Sequence, residues 1–246
     1  MVLYPIGTTK ACLQCSKLLE NSGFALTDHP SPEVTHLLLD APSFAADGSL
    51  RGGGQIENIL SMLPPTITVI GGNLSHTALH DYRCMDLLLD AFYLANNAAI
   101  TADCAIKIAA PLMPFVFAES RALVIGWGRI GKCLAKILSA LGADVTIAAR
   151  KERDRAMAVA LGFDAVDIVQ IPAVLPKMQL LFNTVPAPIL DTPIPSSCIA
   201  LELASRNGIC GENILIARGL PGKYAPESAA QLMCTTILRK CKEDML

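Results

Sequence analysis

The segment Ala122-Leu123-Val124-Ile125-Gly126-Trp127-Gly128-Arg129-Ile130-Gly131 has the residue types and spacing of a dinucleotide-binding turn. An apolar run enters GxGxxG, and Ile130, Leu134, Ile137, Leu138 and Leu141 then mark one face of a helix. Each glycine has its own task. Gly126 permits a tight turn, Gly128 lets the backbone come against a pyrophosphate, and Gly131 lets helix and strand pack closely. The helix N-terminus offers free N–H groups to the phosphates. A strand before, a helix after and a second strand beyond distinguish this motif from a chance glycine turn.

The second strand, Val145–Ala148, runs into Ala149, Arg150, Lys151 and Arg153 with no acid at its end. An Asp or Glu at that place hydrogen-bonds the ribose hydroxyls of NAD. A guanidinium pairs with a phosphate in bidentate fashion, so Arg150 and Lys151 favour NADP over NAD. The bland alternative is a solvated basic start to the next helix, balanced by Glu152 and Asp154.

Further polar residues stand at later strand ends, which line the ligand crevice in such sheets. Asn183, Thr184, Val185 and Pro186 end one strand, with Asn183 and Thr184 offering contacts to the nicotinamide ribose. Leu203, Ala204, Ser205 and Arg206 end the next, and Arg218, Gly219, Leu220, Pro221, Gly222 and Lys223 follow the sixth. All four histidines, His29, His36, His76 and His80, lie in the first half, and none sits beside a Ser or Cys signature for nucleophilic catalysis. No metal constellation is present.

The elements that must position these residues alternate strand and helix, the pattern of parallel sheets covered by helices. In the first half, strands are predicted at Val2–Ile6, Phe24–Leu26, Thr35–Leu39 and Thr66–Ile70, with helices at Thr9–Asn21, Gln55–Met62 and His76–Leu89. Asn97–Met113 reads as a connecting helix. The second half carries six strands, at Ala122–Ile125, Val145–Ala148, Ala165–Val166, Leu180–Asn183, Cys198–Leu203 and Ile214–Ala217, the doubly wound count. The expected fold is α/β in two domains. Residues 1–117 form a smaller Rossmann- or flavodoxin-like substrate-side domain with the connecting helix, and residues 118–246 a doubly wound Rossmann domain. The last helix, Pro226–Lys240, is expected to return to the first domain or to form an oligomer contact.

Among 246 residues, 52% are hydrophobic and 17% charged, with a net charge of -2, so the chain can bury a core and lacks the basic excess of a nucleic-acid binder. The apolar stretch 91–118 is interrupted by Asn96, Asn97, Thr101, Asp103 and Lys107, which suits a buried helix rather than a membrane span. With no leader-like start, a cytoplasmic location is expected. The nine cysteines, Cys12 and Cys15 of a CxxC included, read as reduced, buried thiols.

The second half, Ala122 to about Leu238, resembles the dipicolinate synthase A subunit of spore-forming bacteria. The likeness rests on Gly126–Gly131, Leu141-Gly142-Ala143-Asp144-Val145, Asn183–Pro186, Leu203–Arg206 and Gly219–Gly222, with Ala225–Gln231 similar to the closing helix of that family. In the first half only Ile70-Gly71-Gly72 and Thr101-Ala102-Asp103 match. The resemblance implies NADP-dependent oxidation of a cyclic imine dicarboxylate to dipicolinate and a partner flavoprotein (the B subunit); a homo-oligomer is expected besides. Two carboxylates call for cations, for which Arg206, Arg218, Lys223 and, from the first domain, Arg51 are candidates. Thr101 and Asp103 are candidates for substrate contact or base at an interdomain cleft. The chain departs from the family at Ile100, Asp103 and Cys104, and at Asn207-Gly208-Ile209-Cys210. Arg206 is also similar in place to the substrate arginine of 2-hydroxyacid dehydrogenases, whose catalytic histidine has no counterpart in the second half. Two rivals stay open: another two-domain dehydrogenase of a small acid, and a non-catalytic NADP(H)-binding partner or sensor.

Overall fold

The computed structural model describes residues 1–211 and 213–243. The chain divides into two compact units. The first holds Met1–Asn97 and the chain from Pro221 onward, and the second Ala98–Leu220.

In the first unit, β1 (Val2–Pro5), β2 (Ala25–Leu26), β3 (His36–Leu38), β4 (Thr68–Gly71) and β5 (Arg83–Asp86) form a parallel sheet in the order β2-β1-β3-β4-β5. That is the flavodoxin-like order. Helix α1 (Lys10–Asn21) starts where the Thr9 side chain accepts from the Cys12 N–H, and it buries Ala11, Cys12, Cys15, Ser16 and Leu19. This spacing places them along one helical stripe. α2 (Ile56–Leu60) buries Ile56 and Leu60 in a core with Leu37, Ile67 and Val69. α3 (Ala91–Ala109) follows β5.

Two expectations fail here. His76–Leu89 is not a helix: it holds a 3₁₀ turn at Thr77–Leu79, strand β5 and a second 3₁₀ turn at Leu87–Leu89. Strand β5 is short and borders β4 alone, so of its four residues only Met85 is buried and no period-two pattern develops. The connecting helix starts at Ala91 rather than Asn97 and gives way at Ala110–Leu112 to a 3₁₀ turn containing Pro111.

The second unit has β6 (Arg121–Ile125), α4 (Arg129–Ala140), β7 (Asp144–Ala148), α5 (Glu152–Ala160), β8 (Asp164–Val166), α6 (Ile171–Val174), β9 (Leu180–Asn183), β10 (Ile199–Glu202) and β11 (Ile214–Ile216). Its parallel sheet runs β11-β10-β9-β6-β7-β8, the doubly wound order, which reverses between β6 and β9. Leu123, Ile125, Ala148, Ile171, Leu175 and Leu181 centre one core cluster. Fully burying each of these leucine and isoleucine side chains stabilises the fold by roughly 1.5–3 kcal/mol.

After β11 come α7 (Leu220–Tyr224) and α8 (Pro226–Glu243). α8 buries Ala229, Ala230, Met233, Cys234 and Ile237 and packs on α1. The Asp90 carboxylate, at the foot of α3, accepts from the Tyr93 N–H at 2.8 Å and pairs with Arg239 at 2.6 Å and Lys240 at 3.3 Å. The expected boundary at 117/118 therefore does not match the division by contacts, which falls at 97/98 inside α3 and again at 220/221. Pro111 marks the end of a helix, whereas packing decides which unit each part of that helix joins.

Candidate functional site

The glycine turn sits at the carboxyl end of β6, at the switch point of the second unit's sheet. Gly126 has φ +102°, and a Cβ there would lie 2.5 Å from Thr184 Oγ1 and 2.8 Å from Val185 Cγ2. A Cβ on Gly131 would run into the Gly126 carbonyl oxygen. Gly128, the N-cap of α4, is different, since no atom lies within 4 Å of where its Cβ would be. The turn is packed from below at Gly126 and Gly131 and open above at Gly128. Arg129 and Lys132 are exposed in the first turn of α4. Cations there oppose the helix dipole, and an anion bound at the N-terminus reverses that penalty. Open backbone, a free helix N-terminus and two cations fit a dinucleotide pyrophosphate.

Trp127 between the glycines is only 8% exposed. Its ring lies edge-on to Phe163 at 5.9 Å, and Lys132 Nζ stands 5.8 Å from its centroid. Its indole N–H is buried without a partner among the described residues. On α4, Leu134 and Leu138 are buried, while Ile130 and Ile137 are half-buried and Leu141 is 41% exposed at the C-cap, outside the expected apolar face.

At the end of β7, Ala149 is buried and Arg150 and Lys151 are exposed, with no acidic side chain among them. A residue missed from the sequence holds this segment. Arg155 Nη1 donates to the Ala149 and Arg150 carbonyls, each at 2.8 Å, and to Asp167 Oδ2 at 2.6 Å. The basic stretch is thus fixed from α5 while the Arg150 side chain points to solvent.

The carboxyl ends of β9 and β10 correct several expectations. Asn183 is fully buried, and its amide donates to Val185 O at 3.1 Å and to both Glu202 oxygens at 2.9 Å. Its Oδ1 accepts from the Val185 N–H. Thr184 Oγ1 donates to Ile125 O at 2.8 Å. Both side chains are therefore engaged within the protein rather than offered to a ribose, because the turn after β9 has buried backbone groups that need partners. Val185 is half-buried and Pro186 exposed. Leu203 and Ala204 are buried, while Ser205 and Arg206 are exposed. Arg218 is no free cation: Nε donates to Ala204 O at 2.8 Å and Nη2 to Asn207 Oδ1 at 2.6 Å.

Glu202 is the buried acid at this end of the sheet, and no motif in the sequence singles it out. Its carboxylate is fully buried and accepts, besides Asn183, the Ala204 N–H at 3.0 Å, the Gly208 N–H at 2.8 Å and the Ile209 N–H at 3.3 Å. The signal available was one acid inside the apolar run Ile199-Ala200-Leu201-Glu202-Leu203. A buried acid is costly unless its oxygens are satisfied.

Of the remaining candidates, Thr101 is buried on α3 and Asp103 is exposed on the same helix. Gly219 takes φ +64° and opens α7, which contains Pro221, Gly222 and the exposed Lys223. Arg51 is exposed in the first unit, where its N–H donates to Ser43 O. Burial pushes the thiols of Cys12 and Cys15 well above their ordinary range, helped by Asp40 at Cys12 and by Cys12 and Cys234 at Cys15. Among the described residues no group of three His, Cys, Asp or Glu could hold a metal ion, and no helix is long and apolar enough to cross a membrane.

Residues 108–189 match the family described as D-isomer specific 2-hydroxyacid dehydrogenase, NAD binding domain. The dipicolinate synthase A subunit of Bacillus subtilis (strain 168) is 28% identical over 159 residues, which cover 60% of this chain and 54% of that protein. The chain thus spans about half the length of this curated relative. The crystal structure of the dipicolinate synthase A subunit from Bacillus halodurans superposes with a TM-score of 0.79 at 21% identity, covering 97% of this chain and 96% of that one. The crystal structure of its Bacillus subtilis counterpart gives 0.80 at 20% identity, covering 99% and 96%. With a dehydrogenase-type nucleotide-binding domain around Gly126–Gly131, the chain is similar to the dipicolinate synthase A subunit, in sequence over the matched stretch and in fold over nearly its whole length.

Proposed function

We propose that the protein is an NADP-dependent oxidoreductase that converts a dihydrodipicolinate-type cyclic imine dicarboxylate to dipicolinate. The observation that carries the cofactor assignment is the end of β7, basic and acid-free, beside a glycine turn open at Gly128. Arg150 and Lys151 would meet the 2′-phosphate, and the Gly128–Gly131 backbone with Arg129 the pyrophosphate. A bound nicotinamide supplies a hydride acceptor. Once the hydroxytetrahydro compound has lost water, the resulting dihydro ring loses one hydride from carbon and one proton to a base, which leaves it aromatic. Arg206 is an exposed cation of the second unit available to a substrate carboxylate, and Asp103 is an exposed acid of the same unit available as base. The substrate assignment rests on the similarity to the dipicolinate synthase A subunit.

The reading includes a cytoplasmic homo-oligomer, and the family resemblance adds a flavoprotein subunit as partner; the oligomer is checked by light scattering of the purified chain. The deciding experiment mixes the protein with enzymatically generated hydroxytetrahydrodipicolinate and NADP⁺ or NAD⁺, following reduced cofactor and dipicolinate together. Appearance of both with NADP⁺ supports the assignment. NADPH binding without turnover, with or without the flavoprotein subunit, refutes it in favour of a nucleotide-binding sensor or another substrate.

A further inference from the structure

We propose that Glu202 is the positioning residue of the substrate site, and that its buried carboxylate sets the Ser205–Arg206 turn so that Arg206 meets an anionic substrate. The inference rests on the functional reading above and deepens it.

Ser205 and Arg206 are exposed, yet the chain on both sides of them is tied down. On the N-terminal side the Ala204 N–H donates to Glu202 and the Ala204 carbonyl accepts from Arg218. On the C-terminal side the Asn207 side chain accepts from Arg218. The Gly208 N–H donates to Glu202, and its carbonyl accepts from the Ile189 and Leu190 N–H groups at 2.7 and 3.2 Å. Gly208 presses so closely on the neighbouring turn that a Cβ would lie 2.5 Å from Asn183 Nδ2, 2.6 Å from Ala187 O and 2.7 Å from Val185 O. The same carboxylate holds Asn183, which shapes the turn through Val185, and Thr184 in that turn reaches back to Ile125 beside Gly126. One acid thereby joins the ends of β9 and β10 and braces the turn whose exposed apex carries Ser205 and Arg206.

The bracing on both sides fixes the backbone from which the Arg206 side chain projects. Pre-set geometry is what an exposed arginine needs to hold a carboxylate productively, since a misplacement of about 1 Å at a reacting site costs up to ~100-fold in rate. The donors to Glu202 are neutral N–H groups, so Glu202→Gln replaces one acceptor oxygen with an NH₂ that faces them and frees one side of the turn.

The test uses the full-length chain in a double-mutant cycle of Glu202→Gln, Arg206→Gln and both together. NADPH affinity is read by fluorescence, and binding of pyridine-2,6-dicarboxylate to the NADPH complex by calorimetry, so no turnover is needed. The expected result for Glu202→Gln is NADPH affinity within about threefold of wild type and dicarboxylate affinity lowered ~10- to 100-fold, the worth of one charge-assisted contact with Arg206. The double variant should lose no more than Arg206→Gln alone, because coupled residues are non-additive. Glu202→Asp should recover part of the loss, and it carries the cycle if Glu202→Gln does not fold. Additive losses, or equal weakening of NADPH and dicarboxylate, would overturn the role of Glu202 while leaving the functional reading intact. A wild-type complex that ignores the dicarboxylate would overturn both.

Discussion

The glycine turn yields a prediction in which one added methyl separates ligand binding from folding. At Gly128 the Cβ position is open and φ is -81°, a value alanine adopts freely. Alanine is a poorer N-cap than glycine, so Gly128→Ala should cost at most ~1 kcal/mol of stability. For a chain of this size that is a fall of about 2–4 °C in Tm. The methyl, however, fills the space through which a pyrophosphate would reach the backbone. Loss of one charge-assisted hydrogen bond, worth ~1.5–3 kcal/mol, weakens NADPH by about 10- to 150-fold. At Gly131 the methyl instead meets the backbone of Gly126, which cannot rotate aside. Overpacking there costs ~1–3 kcal/mol, or roughly 2–12 °C, together with the binding. Fluorescence titration with NADPH and a thermal melt on each variant decide the matter. Gly128→Ala binding NADPH within about twofold of wild type, a change of only ~0.4 kcal/mol, would refute the placement of the pyrophosphate.

Arg150→Ala should weaken NADPH by about 10- to 100-fold, the value of one charge-assisted contact, and leave NADH unchanged; parallel titrations with both nucleotides check this. Arg155→Ala removes three hydrogen bonds that fix the end of β7 and the half-buried pair with Asp167, so it should lower stability by ~1–3 kcal/mol in denaturant titration. Asp90 is desolvated by burial, but the Tyr93 N–H, Arg239 and Lys240 more than offset this and hold its pKa below the ordinary carboxylate value. Its stabilisation is therefore complete above the unfolded value of ~3.9 and is lost as pH falls through the lower folded one. As pH falls through this acid range, Tm should drop more steeply for wild type than for Asp90→Asn. In the native protein a thiol reagent near neutral pH should modify the exposed Cys84 and Cys210 and spare Cys12 and Cys15, as read by mass spectrometry.

Local pattern in the chain was enough to specify the nucleotide turn. Strand β6, the turn Gly126–Gly131 and helix α4 follow one another within some twenty residues, so apolar periodicity and glycine spacing suffice for them. The absence of an acid at Ala149–Lys151 is likewise a local fact, and α1, β9 and α8 follow directly from their apolar patterns. The fate of polar side chains was legible only in three dimensions. Asn183, Thr184 and Arg218 read as ligand contacts because they stand at strand ends, yet the turns after β9 and β10 present buried N–H and C=O groups that claim them first. Glu202 carries no local signature of its role, since its partners come from a strand 19 residues earlier and a turn up to seven residues later. Strand β5 exists because β4 offers it an edge, and the division between the units falls inside α3 because packing sets it, not the proline that follows the helix. Local propensity chooses elements; where a polar group is satisfied depends on neighbours that come together only once the sheet has formed.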